Sequence, residues 1–150
     1  KVADKYRSEC YHMQTSRMTE MGLTTEKIFQ ECQRAGAFRR PCFVSVGRDL
    51  SNEVRGGQIR PTAQECELVA GQGRLDCMQG VVYALIDNTW DGRYALPFCA
   101  SFSQETDQAA CIRESAAYLT GTFEKSPVEV ATECAKHLRP AERCAEISSR

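Results

Sequence analysis

Apolar residues recur at helical spacing through most of the chain, in short blocks broken by Gly, Pro and polar pairs. Ser8-Glu9-Cys10 opens a first helix over 8–21 that stops before Gly22. Thr24 or Thr25 caps a second, with Glu26 in its first turn and Ile28, Phe29, Cys32 and Ala35 on one side, ending at Gly36. Pro41 stands at the start of a third, whose inner face is Phe43, Val46, Leu50 and Val54 and which Arg55-Gly56-Gly57 breaks. Pro61-Thr62 restarts the pattern with Ala63, Cys66, Val69 and Ala70, and Gly71-Gln72-Gly73 makes a turn. Leu75, Met78, Val82, Leu85 and Ile86 form the strongest amphipathic stripe, and Asp87 to Gly92 is expected as a loop. Pro97 requires either a short helix starting near it or a kink before Cys99. Thr106-Asp107 is expected to cap the helix of Cys111, Tyr118 and Leu119, ending near Gly121. Ser126-Pro127 opens another with Val128, Ala131, Cys134, Ala135 and Leu138. Arg139-Pro140 then turns the chain into a last helix with Cys144 and Ile147. Strand alternation is nearly absent, and Val81-Val82-Tyr83 fits the helical phase. The pattern predicts an all-α chain of about nine short helices.

The helices repeat. Cys32, Cys66, Cys99 and Cys134 lie 34, 33 and 35 apart, and Cys42, Cys77, Cys111 and Cys144 lie 35, 34 and 33 apart. A period near 34 is the size of a two-helix unit. Neighbouring columns repeat too. Phe43, Met78, Ile112 and Ala145 follow the second cysteines by one residue, and Leu50, Leu85 and Leu119 follow by eight. Phe29, Ala63, Leu96 and Ala131 precede the first cysteines by three, and Ala35, Val69, Phe102 and His137 follow by three. Cys10, with Tyr11 and Met18, fits the second-cysteine column, so its partner is expected upstream or on another chain. The expected architecture is an α-solenoid of stacked hairpins in one domain over 1–150: a partial repeat at 1–22 and hairpins at 23–57, 58–92, 93–125 and 126–150. A chain opening inside a repeat and without Met reads as a piece of something longer.

Spacings of 10 to 12 place each cysteine pair about a turn from the bend of its hairpin, where a disulfide would fix the two helices together. The expected pairs are Cys32–Cys42, Cys66–Cys77, Cys99–Cys111 and Cys134–Cys144. Each closed loop contributes about 2–3 kcal/mol through chain entropy, a useful sum for helices too short to be stable alone. The competing reading is nine buried thiols acting as small hydrophobes. Regular pairing favours disulfides and thus a periplasmic, cell-surface or secreted setting.

The period, helical phase and paired cysteines over Thr24 to Ile147 resemble the cysteine-rich Sel1-like, TPR-type repeat proteins. That resemblance implies disulfide-linked hairpins in a curved solenoid, although cysteine spacing is shorter in that family. Cys32/Cys42 and Cys134/Cys144 also match the interval of twin-Cx9C hairpin proteins. Here, however, the Pro and Gly breaks fall between the paired cysteines, so the first resemblance is better.

Composition narrows the function. The chain is 42% hydrophobic and 26% charged, which suits a folded domain, and no apolar run suits a membrane span or signal peptide. With net charge −1 and basic residues scattered apart from Arg39-Arg40, no concentrated basic face exists for nucleic acid. CxxC, CxxCH and HExxH are absent, so no metal, cofactor or catalytic residue is expected. His12 reads as a surface residue and His137 as a partly buried one. Asp87-Asn88-Thr89-Trp90-Asp91-Gly92 resembles the start of a calcium loop, but Phe98 stands where the bidentate Glu belongs. Trp90, the only tryptophan, either packs on a neighbouring hairpin or anchors a partner. The expected function is a non-enzymatic scaffold holding a protein or peptide on a solenoid surface. The alternative is a structural subunit of a larger extracytoplasmic assembly or filament, with membership of a larger complex or homo-oligomer; an enzyme is the least supported reading.

Overall fold

The computed structural model describes residues 6–138 and Cys144. Among them stand eight α-helices, a 3-10 turn at Gly36–Phe38, and no strand. The helices are α1 (Arg7–Glu20), α2 (Thr25–Arg34), α3 (Arg39–Arg55), α4 (Ile59–Glu67), α5 (Gln72–Thr89), α6 (Ala95–Ala100), α7 (Glu105–Phe123) and α8 (Pro127–His137). The chain is all-α. Four cysteine pairs sit at disulfide distance, with Cα separations of 5.2–5.8 Å: Cys32–Cys42, Cys66–Cys77, Cys99–Cys111 and Cys134–Cys144. All eight of these cysteines are buried, so they belong to the core as well as closing it.

Several helix ends follow from local chemistry. Thr24 caps α2, its side chain accepting from the Lys27 N–H. Ser126 and Glu129 form a capping box at α8, with Pro127 next in the first turn. Pro41, Pro61 and Pro97 each stand at the third position of α3, α4 and α6, so each helix begins two residues before the proline rather than at it. The first N–H groups of a helix have no intrahelical acceptor, so a proline there removes no bond. The short-helix alternative at Pro97 is therefore the one observed.

Other boundaries differ from expectation. Only Gly71, with φ of +61°, belongs to the turn before α5; Gln72 and Gly73 are helical. The expected loop at Asp87 begins three residues late. Asn88 Nδ2 and Thr89 Oγ1 donate to the Ala84 and Leu85 carbonyls one turn back, and α5 continues through Thr89. Helix α7 starts before Thr106-Asp107 and runs through Gly121 to Phe123. In the column of Leu50, Leu85 and Leu119, the last two are fully buried and Leu50 is half-buried. The expected helix around Ile147 lies outside the described residues.

The helices carrying second cysteines (α1, α3, α5, α7) lie side by side in chain order. Those carrying first cysteines (α2, α4, α6, α8) each touch the second-cysteine helix on either side in sequence, as far as described. The closest approach is α3 on α5. A Cβ on Gly47 would fall inside the Cys77 carbonyl oxygen, and one on Gly80 inside the Val44 carbonyl oxygen. Two backbones thus touch through reciprocal glycines. Around this crossing α5 buries Cys77, Met78, Val81, Val82, Leu85 and Ile86, while Gln79, Tyr83 and Ala84 are half-buried. Polar ties join later helices: Arg74 to Asp107 at 2.6 Å, and Glu67 to the Ser103 N–H at 2.6 Å.

Replacing a helical glycine by alanine at an exposed site stabilises a helix by about 1 kcal/mol. Gly80→Ala is expected to do the reverse, destabilising by about 3 kcal/mol through overpacking. Urea unfolding with the disulfides intact measures this, and a raised midpoint would refute the backbone contact. Replacing both Cys66 and Cys77 by Ser is expected to cost about 3 kcal/mol in the same assay.

Candidate binding groove

The chain carries polar residues where α3, α5 and α7 meet, and these line a groove of about 480 Å³. Its walls include Arg40 from α3, Gln72, Leu75, Asp76 and Gln79 from α5, and Ala110, Glu114 and Ala117 from α7. A neighbouring recess of about 360 Å³ shares Arg40, Gln72 and Asp76 and continues it towards Phe43 and Ala70.

A run of hydrogen bonds crosses the three helices. Arg40 Nη2 donates to Gln79 Oε1 at 3.0 Å, and Gln79 Nε2 donates to Glu114 Oε1 at 2.7 Å. The Tyr83 hydroxyl donates to the same Glu114 oxygen at 2.6 Å. Tyr83 stacks on Tyr118 with ring centroids 3.8 Å apart, and the Tyr118 hydroxyl donates to Asp87 at 2.8 Å. Burial, then the adjacent Glu114 carboxylate, raises the Tyr83 phenol to about 12. Burial and Asp87 do the same for Tyr118, also to about 12. Both effects disfavour an anionic phenolate.

Asp76 is the buried charge of the groove, 4% exposed. Gln72 Nε2 donates to its Oδ1 at 2.9 Å, while the nearest cation, Arg40, is 3.8 Å away with a largely exposed guanidinium. Burial raises its carboxyl above the ordinary value, outweighing the Gln72 bond and Arg40. A solvated guanidinium compensates poorly for a desolvated carboxylate.

The residues singled out in the sequence lie elsewhere. Trp90 caps α5 at φ of +60° and is 71% exposed. Cys10 is a free, half-buried thiol beside a separate recess of about 400 Å³, lined by Tyr11, Gln14, Ala35 and Phe38 among others. The resemblance to a calcium loop ends with the geometry: Asp87 is helical and bound to Tyr118, and Asp91 is held by Arg93 at 2.5 Å. His137 Nε2 lies 3.3 Å from Glu133 Oε2 on α8, and the His12 carbonyl accepts from Ser45. Among the described residues no group of three His, Cys, Asp or Glu side chains could hold a metal ion, and no helix is long and apolar enough to cross a membrane. The groove residues lie outside the cysteine and apolar columns of the sequence, so neither column points to them. Gln79 and Glu114, and likewise Tyr83 and Tyr118 (118−83), are 35 apart, one period of the repeat.

Neither protein-family profiles, curated proteins nor solved structures match this chain.

Titration followed by phenolate absorbance should show two of the five tyrosines ionising near pH 12 rather than 10. Their folded pKa exceeds the unfolded one, so their stabilisation is complete below pH 10 and lost as pH rises through about 12. Five ordinary midpoints with native circular dichroism would refute the buried pair. Asp76→Asn keeps an acceptor for Gln72 and removes the desolvated charge, so its melting temperature at neutral pH should rise; a fall would show that Arg40 dominates.

Proposed function

We propose that this chain is a non-enzymatic helical-repeat module that holds a peptide segment of a partner protein outside the reducing cytosol. In this reading the helices are successive hairpins of an α-solenoid, an architecture that generally presents extended binding surfaces. The chain-order packing of α1, α3, α5 and α7 supports it. In this reading the chain shares its architecture with the cysteine-rich Sel1-like, TPR-type proteins it resembles. The four disulfide-distance pairs support an oxidising setting, because regularly paired cysteines persist as disulfides there.

One observation carries the binding role: the groove across α3, α5 and α7 mixes donors, acceptors and apolar wall. Arg40, Gln72 and Gln79 offer N–H groups, Asp76 and Glu114 offer oxygens, and Leu75, Ala110 and Ala117 offer hydrocarbon. A peptide main chain needs both kinds of polar partner, and its side chains need the third. The charges lining the groove include both signs, which suits a peptide better than a polyanion.

Panning a random peptide library on the oxidised protein tests this. Enriched peptides are expected to bind with micromolar affinity and to lose about tenfold with Leu75→Asp, a change at a partly exposed groove residue. Absence of enrichment, or peptides indifferent to Leu75→Asp, would overturn the assignment of the groove.

A further inference from the structure

The groove across α3, α5 and α7 holds its charges unequally. The cations lining it, Arg40 and Arg113, are exposed, and the Arg40 side chain is 68% in water. The Asp76 carboxylate is buried. Gln72 Nε2 donates to Asp76 Oδ1, and Arg40 Nε stands 3.8 Å from that same oxygen, beyond hydrogen-bond reach. Among the described residues no hydrogen bond reaches Oδ2. Asp76 lines both recesses, the one of about 480 Å³ and the one of about 360 Å³, so it stands where they join.

The repeat itself does not call for a buried acid at this place. Asp76 precedes Cys77 by one residue, and Glu9, Pro41 and Ala110 precede Cys10, Cys42 and Cys111 in the same way. Glu9 is exposed, and the other two carry no charge. A desolvated carboxylate is therefore particular to α5, at the one helix that contributes to the middle of the groove.

We propose that the groove selects a basic side chain of the bound peptide, a lysine or arginine whose cation donates to Asp76 Oδ2 while its methylenes lie along Leu75, Met78 and Ala110. This rests on the peptide-binding reading of the groove and names the residue type which that reading leaves open. Folding has already removed water from Asp76, so an arriving cation gives up only its own hydration and meets a carboxylate that Gln72 holds in place. Burial raises the Asp76 carboxyl above its ordinary value, the mark of an acid short of a cation. Glu114 on α7, accepting from Gln79 and Tyr83 through Oε1, adds a second negative charge to the same groove. A neutral side chain would leave Oδ2 dry and unpaired. An anionic one would face the buried carboxylate, with only solvated guanidinium groups to offset it.

The test takes peptides enriched from a random library on the oxidised protein and measures their dissociation constants by fluorescence polarisation. The enriched peptides are expected to share a lysine or arginine at one position, and their relative frequency tells which cation fits better. Replacing that residue by its neutral isostere, norleucine for lysine or citrulline for arginine, should weaken binding to wild type about tenfold. On Asp76→Asn, with its fold checked by circular dichroism, the same replacement should change affinity less than about twofold, because the partner charge is gone. Leu75→Ser removes groove hydrocarbon without adding charge and should weaken every enriched peptide.

Equal losses on wild type and Asp76→Asn would overturn the proposal. So would peptides that are sensitive to Leu75→Ser yet share no basic residue; either result leaves the groove reading standing. The isostere comparison on wild type needs no variant, and an unchanged affinity there overturns the proposal by itself. Absence of enrichment, or affinity that survives both Leu75→Ser and Asp76→Asn, would overturn the groove reading and this one together.

Discussion

The rest of the molecule depends on the place where α3 and α5 touch backbone to backbone. Without side chains at Gly47 and Gly80, the two helices approach until carbonyl oxygen of one fills the space of a missing methyl on the other. That proximity draws Met78, Val81, Val82 and Leu85 into a zone from which water is excluded. It also fixes where α1 and α7 can lie, one on each flank. Helix α1 is fastened by hydroxyls, with Thr15 and Ser45 fully buried against Asp49. Helix α7 is fastened by stacked phenols and Glu114. A central crossing where two backbones meet at Gly47 and Gly80 is thus bordered by two contacts that include polar side chains.

Polar borders have a structural logic. An apolar face tolerates rotation of one helix on another, because dispersion contacts are non-directional. Hydrogen bonds at 2.6–3.0 Å do not tolerate it. The Arg40–Gln79–Glu114 run therefore fixes the relative rotation of three helices and, by the same act, the spacing of donors and acceptors along the groove. Asp76 runs against this economy: it is buried with incomplete compensation. A group held at a cost to stability beside an open groove is where local consistency yields to another requirement.

Much of the fold was legible in the sequence for one reason: the information was periodic. Cysteines, Leu85 and Leu119 repeat at a fixed interval, and a column that repeats needs no knowledge of tertiary structure. The same holds for the capping residues Thr24 and Ser126. What escaped was of two kinds. Prolines and polar residues near helix ends signal boundaries, whereas Pro41, Pro61 and Pro97 sit two residues inside, and Asn88 and Thr89 bond back into their own helix. The other kind is the groove. Gln79, Tyr83, Glu114 and Tyr118 lie on a period too, but ordinary polar residues announce nothing singly and gain meaning only when three helices bring them together. Gly47 and Gly80 were invisible for the opposite reason: inside an apolar stripe a missing side chain reads as a weakness in the helix rather than as a point of contact.

The local character of the cysteine pairs has a consequence for how the molecule is made. Each bonded cysteine has its partner 10–12 residues away, while the nearest wrong cysteine is 22–24 residues away (32−10, 66−42, 99−77, 134−111). Doubling a loop costs about 0.6 kcal/mol in closure entropy, so even in an unstructured chain the native thiol is met about three times as often as the nearest wrong one. A chain entering an oxidising compartment from its N-terminus would complete each loop before the next pair arrived. In an oxidising setting, short loop closure by itself would thus favour these four pairs over mispaired ones.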